Sequence, residues 1–261
     1  MEEFAETARR LGLDPDNKWV GGYVDCQWKC LPPILSAYRL DIRGKRLLEF
    51  GSNVGASSVV LARLGAYVDA VDIRADLVTL ARANARFHGV DVLFHHTEKT
   101  RLPFASSSFD FVLCNSVLEY VDAGDLAEVI LELNRVLASG GHILITGTSN
   151  RLWPQEVHSR RWLTHWLPSR IEALLRRNAC ERGVNPFSLL TNFGHQYDVV
   201  DVEDKGHSWL AARAAIRRRA VAPFHYRALA ALARTFRIAP GCLAPNISML
   251  LKKRGAPASN T

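Results

Sequence analysis

The chain has 261 residues, 48% of them hydrophobic, and a formal net charge of +7, which is enough to build one α/β domain with additions or two small domains. No apolar run approaches the roughly 20 residues that a bilayer-spanning helix needs, and the opening MEEFAETARRLGLD is a charged amphipathic pattern, not a signal peptide. Cys26, Cys30, Cys114, Cys180 and Cys242 make no disulfide framework and no paired metal-ligand spacing, so free thiols in a reducing cytoplasm and no metal are expected.

Residues 2–12 predict a short helix. In DPDNKWVGGYVDCQWKCLPPIL, Pro15, Gly21, Gly22 and the Pro32-Pro33 pair predict a broken segment crowded with Trp19, Tyr23 and Trp28, with a new helix beginning over Ile34 to Tyr38. Arg46 to Phe50 then reads as a strand, Gly51 to Gly55 as a turn, and Ser57 to Leu64 as a helix that Gly65 stops. Tyr67 to Val71 is a second strand closed by Asp72. Such a βαβ unit places its first turn at the carboxyl edge of a parallel sheet, where ligands bind. A dinucleotide fingerprint needs glycine at 53 and preferably 56, but Asn53 and Ala56 stand there, which weakens a pyrophosphate reading.

What stands instead is E-F-G-S-N-V-G, an acid two residues before the first of two glycines. This resembles the first motif of class I S-adenosylmethionine-dependent methyltransferases, small-molecule enzymes of the type 11-like group. The resemblance implies that Glu49, Gly51, Ser52, Asn53 and Gly55 hold the methionine and ribose part of the cofactor, with Asp72 on the ribose hydroxyls. A carboxylate accepting two hydroxyls suits that role, since charge-assisted hydrogen bonds contribute about 1.5–3 kcal/mol each. Ile73 is then placed to cover one face of adenine. In that family the segment before the first strand lies over the cofactor, which makes Tyr23 and Trp19 lid candidates on the cofactor and acceptor sides.

After Asp72, DLVTLARANARFHGV predicts a helix ended by Gly89, and Val90 to His95 a third strand. HTEKTRLPF resembles the family segment in which an acid shortly precedes Leu-Pro-Phe. Glu98 then takes the position that accepts the adenine amino group, although aspartate is usual there. Asp110 to Asn115 is a fourth strand. Asn115, polar at the end of FDFVLCN, needs a partner, which a cofactor group or a helix start would supply. The sequence around Cys114 carries neither the Asn/Asp-Pro-Pro-aromatic pattern of adenine amine methylation nor the Pro-Cys of cytosine methylation. Asp125 to Leu137 predicts a helix, Gly140-Gly141 a turn, and His142 to Thr146 a fifth strand.

From Gly147 the resemblance fades. TSNRLWPQEVHSRRWLTHWLP is dense in binding residues, and a loop leaving a strand's carboxyl end faces the methyl donor. His158 is the candidate for orienting or deprotonating an acceptor, because its reference pKa lies near neutrality. Asn150, Arg151, Trp153 and Trp162 are candidates for acceptor binding. Trp162 and Trp166, one helical turn apart, line either a pocket or the core. A helix over Ser169 to Arg177, a strand over Asp198 to Val202, helices over Ser208 to Val221 and Tyr226 to Phe236, and a closing strand Ile247 to Leu251 follow.

Charge is uneven along the chain. Residues 1–149 hold 15 Lys/Arg against 19 Asp/Glu, and residues 205–261 hold 11 Lys/Arg and no acid. The basic region suggests an anionic partner, substrate or membrane surface. The expected fold is α/β, a Rossmann-like seven-stranded, mostly parallel sheet with helices on both faces, one antiparallel strand near the C-terminus and a helical cap. Its parts are residues 1–44 as helix and lid, 45–149 as cofactor core, and 150–261 as acceptor-side loop, basic helices and closing strands of the same domain. The implied function is transfer of a methyl from S-adenosylmethionine to oxygen or nitrogen of a small metabolite, an anionic or lipid-like acceptor. The rivals are RNA methylation through the basic region, which lacks an aromatic stacking platform, and a non-catalytic cofactor-binding partner subunit.

Overall fold

The computed structural model describes residues 2–98, 100–155, 162–163, 166 and 183–255. In chain order the elements are α1 (Glu2–Arg10), α2 (Tyr23–Ala37), β1 (Arg46–Phe50), α3 (Ala56–Arg63), β2 (Tyr67–Asp72), α4 (Ala75–Phe87), β3 (Val92–His96) and β4 (Phe109–Asn115). Then come α5 (Leu126–Val136), β5 (Leu137–Ser149), α6 (Pro186–Phe193), β6 (Tyr197–Val199), the single turn α7 (Val200–Glu203), α8 (His207–Ile216), α9 (Phe224–Phe236) and β7 (Asn246–Lys253).

The strands make one seven-stranded sheet in the order β3-β2-β1-β4-β5-β7-β6. Strands β1 to β5 pair in parallel, and β7 runs antiparallel between β5 and β6. This is the expected Rossmann-like sheet with its one antiparallel strand. The order reverses between β1 and β4, so a crevice opens outside their carboxyl ends. Alternation along the strands splits the core into two layers. Leu47, Val68, Ala70, Phe111, Leu113, Leu144 and Leu250 face α1 to α4 and α8. Leu48, Val112, Ile143, Ile145 and Leu251 face α5 and α6.

Three elements depart from the sequence reading. The Pro32-Pro33 pair does not break the chain: α2 runs from Tyr23 to Ala37 with both prolines inside it. Each proline removes a helix hydrogen bond, but Val24, Leu31, Ile34 and Leu35 form a buried stripe, and packing of that stripe outweighs the local preference. The Gly140-Gly141 pair is not a turn, because β5 is continuous from Leu137 to Ser149. The pairing with β4 shifts register opposite these glycines, and a Cβ at Gly141 would lie 2.8 Å from the Asp110 carbonyl oxygen, the usual sign of a bulge. The strand expected over 198–202 ends at Val199, because Asp201 turns inward. Its buried carboxylate accepts from the Tyr38 hydroxyl at 2.6 Å and the Leu250 amide at 3.0 Å. The helix expected over 169–177 and Cys180 lie outside the described residues.

Candidate functional site

The turn after β1 is held by its own backbone. The amides of Gly51 and Ser52 both donate to the Val71 carbonyl at 2.9 Å, and the Gly55 amide donates to the Ser52 carbonyl at 2.8 Å. The Asn53 amide donates to Asp72 Oδ2 at 2.7 Å. Four amides that a phosphate cradle would offer to a ligand are thus spent inside the turn, in agreement with the missing dinucleotide glycines. Asn53 adopts a left-handed conformation, φ 49°, which asparagine tolerates.

The two glycines serve close packing. Gly55 sits at φ 74°, and a Cβ there would lie 2.9 Å from both Ala81 Cβ and Phe94 Cζ, so its missing side chain seats the turn on α4 and β3. A Cβ at Gly51 would strike Val117 Cγ2 at 2.1 Å, which brings the loop leaving β4 against the turn.

Asp72 ends β2 with one oxygen on each of two amides, Asn53 at 2.7 Å and Arg74 at 2.9 Å. Each oxygen keeps a second lone pair. Ile73 follows with 65% of its surface exposed, and Glu98 is exposed in the loop after β3. Ser52 is buried, and its hydroxyl has no hydrogen-bond partner among the described residues. A buried polar atom without a partner in a turn that otherwise satisfies itself fits a bound polar ligand.

Glu49 points inward instead. Its buried carboxylate accepts from the Ser58 hydroxyl in the first turn of α3. Burial pushes the carboxyl up to about 7, against hydrogen bonds from Ser58 and Ser57 that lower it. Asn115 Nδ2 donates to Ser57 Oγ at 3.0 Å, so the helix start supplies the partner that this strand-end asparagine needed. Burial first, and then the Glu49 carboxylate, raise the Tyr23 hydroxyl to about 12. Tyr23 in turn meets Trp19 edge-on at 5.5 Å, with Trp19 more than half exposed. Tyr23 thus lies within electrostatic range of Glu49 in β1, and Tyr23 and Trp28 both pack against the core.

Beyond β5 the expected residues divide. Asn150 is buried with both amide hydrogens used: they go to the Cys242 carbonyl at 2.9 Å and the Ala244 carbonyl at 2.8 Å, and its oxygen accepts from Leu152 N–H at 2.9 Å. It pins the loop, and this geometry corrects the expectation of an acceptor contact. Arg151 and Trp153 are half-buried, and the Arg151 carbonyl accepts from the Trp166 indole at 2.8 Å. Trp162 and Trp166 are both exposed, 67% and 53%, so neither packs in the core. His158 lies outside the described residues, as do Arg160, Arg161 and His165.

The sequence reading missed the polar row that continues from Asn115 along the same sheet face. Asn115 pairs with Thr146 in register, and Thr146 lines a small cavity of about 10 Å³ with Ser248, Tyr38, Trp209 and Arg213. Arg213 donates to Ser248 Oγ, which also accepts from the Trp209 indole at 3.1 Å. The guanidinium lies 5.0 Å from the Trp209 ring centre and 5.6 Å from that of Tyr226. Burial lowers its pKa, and burial pushes nearby Asp201 up to about 7. Among the described residues no carboxylate forms an ion pair with Arg213. Arg213 itself is half-buried, held by Ser248 and the two rings. The one signal in the sequence was Ser248, a polar residue inside the apolar strand NISMLL.

Residues 48–145 match the family described as a methyltransferase domain. The ubiquinone biosynthesis O-methyltransferase of Xanthomonas oryzae pv. oryzae (strain PXO99A) is 36% identical over 114 residues, 43% of this chain and 46% of that one. The protein of the same name from Xanthomonas euvesicatoria pv. vesicatoria is 35% identical over 155 residues, 58% of this chain and 61% of that one. The chain thus spans about half the length of the curated relatives it matches. Among solved structures, Haemonchus contortus phosphoethanolamine N-methyltransferase 1 aligns with a TM-score of 0.56 at 15% identity, covering 90% of this chain and 44% of that one. The cyclase SpnF aligns at 0.53 with 17% identity, covering 93% and 85%. A putative sarcosine dimethylglycine methyltransferase from Galdieria sulphuraria aligns at 0.53 with 16% identity, covering 86% and 84%. These structural likenesses establish the fold alone, and a cyclase among them illustrates that this fold does not fix a reaction.

Proposed function

We propose that this chain, whose residues 48–145 match a methyltransferase domain, is a class I S-adenosylmethionine-dependent enzyme that moves a methyl group from S-adenosylmethionine to an oxygen or nitrogen of a small-molecule acceptor. The names of the relatives favour oxygen. The observation that carries the proposal is the Asp72 carboxylate, braced at the crevice by two amides with a lone pair left on each oxygen.

In this reading Asp72 accepts the two ribose hydroxyls, exposed Ile73 covers adenine, and Glu98 accepts the adenine amino group. Gly51, Ser52, Asn53 and Gly55 form the wall beside the methionine part, with the Ser52 hydroxyl as a donor. Glu49 acts at one remove, by fixing Ser57 and Ser58 and through them Asn115. Bound S-adenosylmethionine supplies a methyl already activated by its sulfonium. The protein's work is then alignment, and positioning alone contributes on the order of 7–11 kcal/mol to such a step. Tyr23 and Trp19 cover the site, while Arg151, Trp153 and Trp162 border the acceptor side. His158 takes the acceptor's proton where one must leave.

Residues 1–44 thus serve as lid, 45–149 as cofactor core and 150–261 as acceptor side. Arg213, half-buried beside Thr146, hydrogen-bonded to Ser248 and without a carboxylate ion pair among the described residues, is the cation in this reading that would meet an anionic group on the acceptor. No helix among the described residues is long and apolar enough to cross a membrane, and we place the chain in the cytoplasm. Transfer of labelled methyl from S-adenosylmethionine into cell extract, fractionated into small metabolites, lipid and RNA, tests the proposal. Label in the metabolite or lipid fraction supports it, and label confined to RNA sinks it.

A further inference from the structure

Helix α9 (Phe224–Phe236) is built inside out. Its fully buried positions are the alanines Ala230 and Ala233, whereas Phe224 is 80% and Phe236 65% exposed, with Leu232 exposed as well. A helix that only caps a domain turns its large apolar side chains inward. At about 100° per residue, Phe224, Ala228, Leu232 and Phe236 form one outward ridge, and the exposed Arg227 and Arg234 run along its flank. Arg218, Arg219 and Val221, just before the helix, are exposed too. No acidic residue occurs anywhere in 205–261.

The ridge is tied to the site's edge. The helix packs on the turn Pro240–Leu243, and the Cys242 carbonyl in that turn holds Asn150 at the end of β5.

We propose that this ridge docks on an anionic phospholipid bilayer, with Phe224, Leu232 and Phe236 entering the acyl boundary and the arginines among the headgroups. Large apolar side chains beside unopposed cations are what such a surface recognises. A second copy of the chain fits less well, because both faces would bring the same uncompensated positive charge. RNA fits less well too, since a convex apolar ridge offers no groove of aromatics interleaved with cations. The inference deepens the proposed function by setting the acceptor opening beside lipid. It is measured without cofactor or acceptor, so its failure leaves methyl transfer standing and the reverse holds as well.

The test is co-sedimentation of the full chain with phosphatidylglycerol–phosphatidylcholine vesicles and with pure phosphatidylcholine vesicles. Binding to the anionic vesicles, weakened by salt, is expected. The double change Phe224→Ser with Phe236→Ser should reduce the bound fraction about tenfold, and Arg218→Glu with Arg227→Glu by a similar factor. Both pairs are exposed, so circular dichroism should show the fold unchanged. Absence of binding, equal binding to neutral vesicles, or binding indifferent to both variants overturns the proposal. So does a concentration-dependent dimer, or RNA binding, that the phenylalanine changes abolish.

Discussion

Asn115 at the carboxyl end of β4 donates its amide hydrogen to Ser57 Oγ in the first turn of α3, at 3.0 Å. Ser57 and Ser58 in turn bond the buried Glu49 carboxylate at the end of β1. The two strands that flank the crevice are therefore locked together through one helix start. Removing the amide takes one of two partners from the Ser57 hydroxyl, which still bonds Glu49, at a cost of about 0.5–1.5 kcal/mol. Asn115→Ala should lower the thermal midpoint by several degrees and weaken S-adenosylmethionine binding. Differential scanning calorimetry and a binding titration would show it, and an unchanged midpoint would remove the lock.

Gly55→Ala should be costly through two separable effects. A non-glycine residue at φ 74° is strained, and the new Cβ meets Ala81 and Phe94 at 2.9 Å each. Together these amount to about 2–4 kcal/mol. Adding Phe94→Leu removes one of the two collisions, so the double variant should lose less than the sum of the single losses. Strict additivity in urea unfolding would contradict the packing explanation.

Stability should fall as pH rises from about 4 to about 7 on account of Asp201 and Glu49. Burial raises Asp201 from 3.8 to about 7 and Glu49 from 4.5 to about 7. Over that window the unfolded chain releases these protons while the folded chain keeps them, so the folded state binds more protons and loses stability with increasing pH. Asp201→Asn abolishes one titration. Its stability relative to the parent should climb across the window and then level off. Parallel melting curves at every pH would rule out the buried acid.

Arg213→Met keeps bulk in the cavity beside Thr146 and deletes the charge. Losing a charge-assisted contact of about 1.5–3 kcal/mol should raise KM for the acceptor by roughly 10- to 100-fold. S-adenosylmethionine affinity should stay put. Stability should change little, because Arg213 has no ion pair among the described residues and acts on Asp201 only at longer range. A collapsed fold with an unchanged KM would make Arg213 structural only.

The sheet was legible where period and glycine spacing agree. Arg46–Phe50 and Tyr67–Asp72 fall where the sequence places them, because an apolar run between turn residues has one good solution. Helix α2 was not legible: Pro32-Pro33 speaks against it locally, and only packing from distant α3 and α8 decides. In the site, Asp72 could be read from its place at a strand end. The inward turn of Glu49 could not, since it depends on where the hydroxyls of α3 fall. Arg213 among alanines looks like a solvated charge until Trp209 and Ser248, separated from one another by 39 positions, close around it. Asn150 looked like a binding residue because its partners at 242 and 244 lie about ninety positions away in the chain.

Calorimetric titration with S-adenosylmethionine tests the central claim most directly. The parent chain should bind, and Asp72→Ala should weaken binding about a hundredfold or more, the loss of two charge-assisted contacts of about 1.5–3 kcal/mol each, with the circular dichroism spectrum preserved. Binding of equal strength in the parent and in Asp72→Ala, or no binding by the folded parent chain, would contradict it.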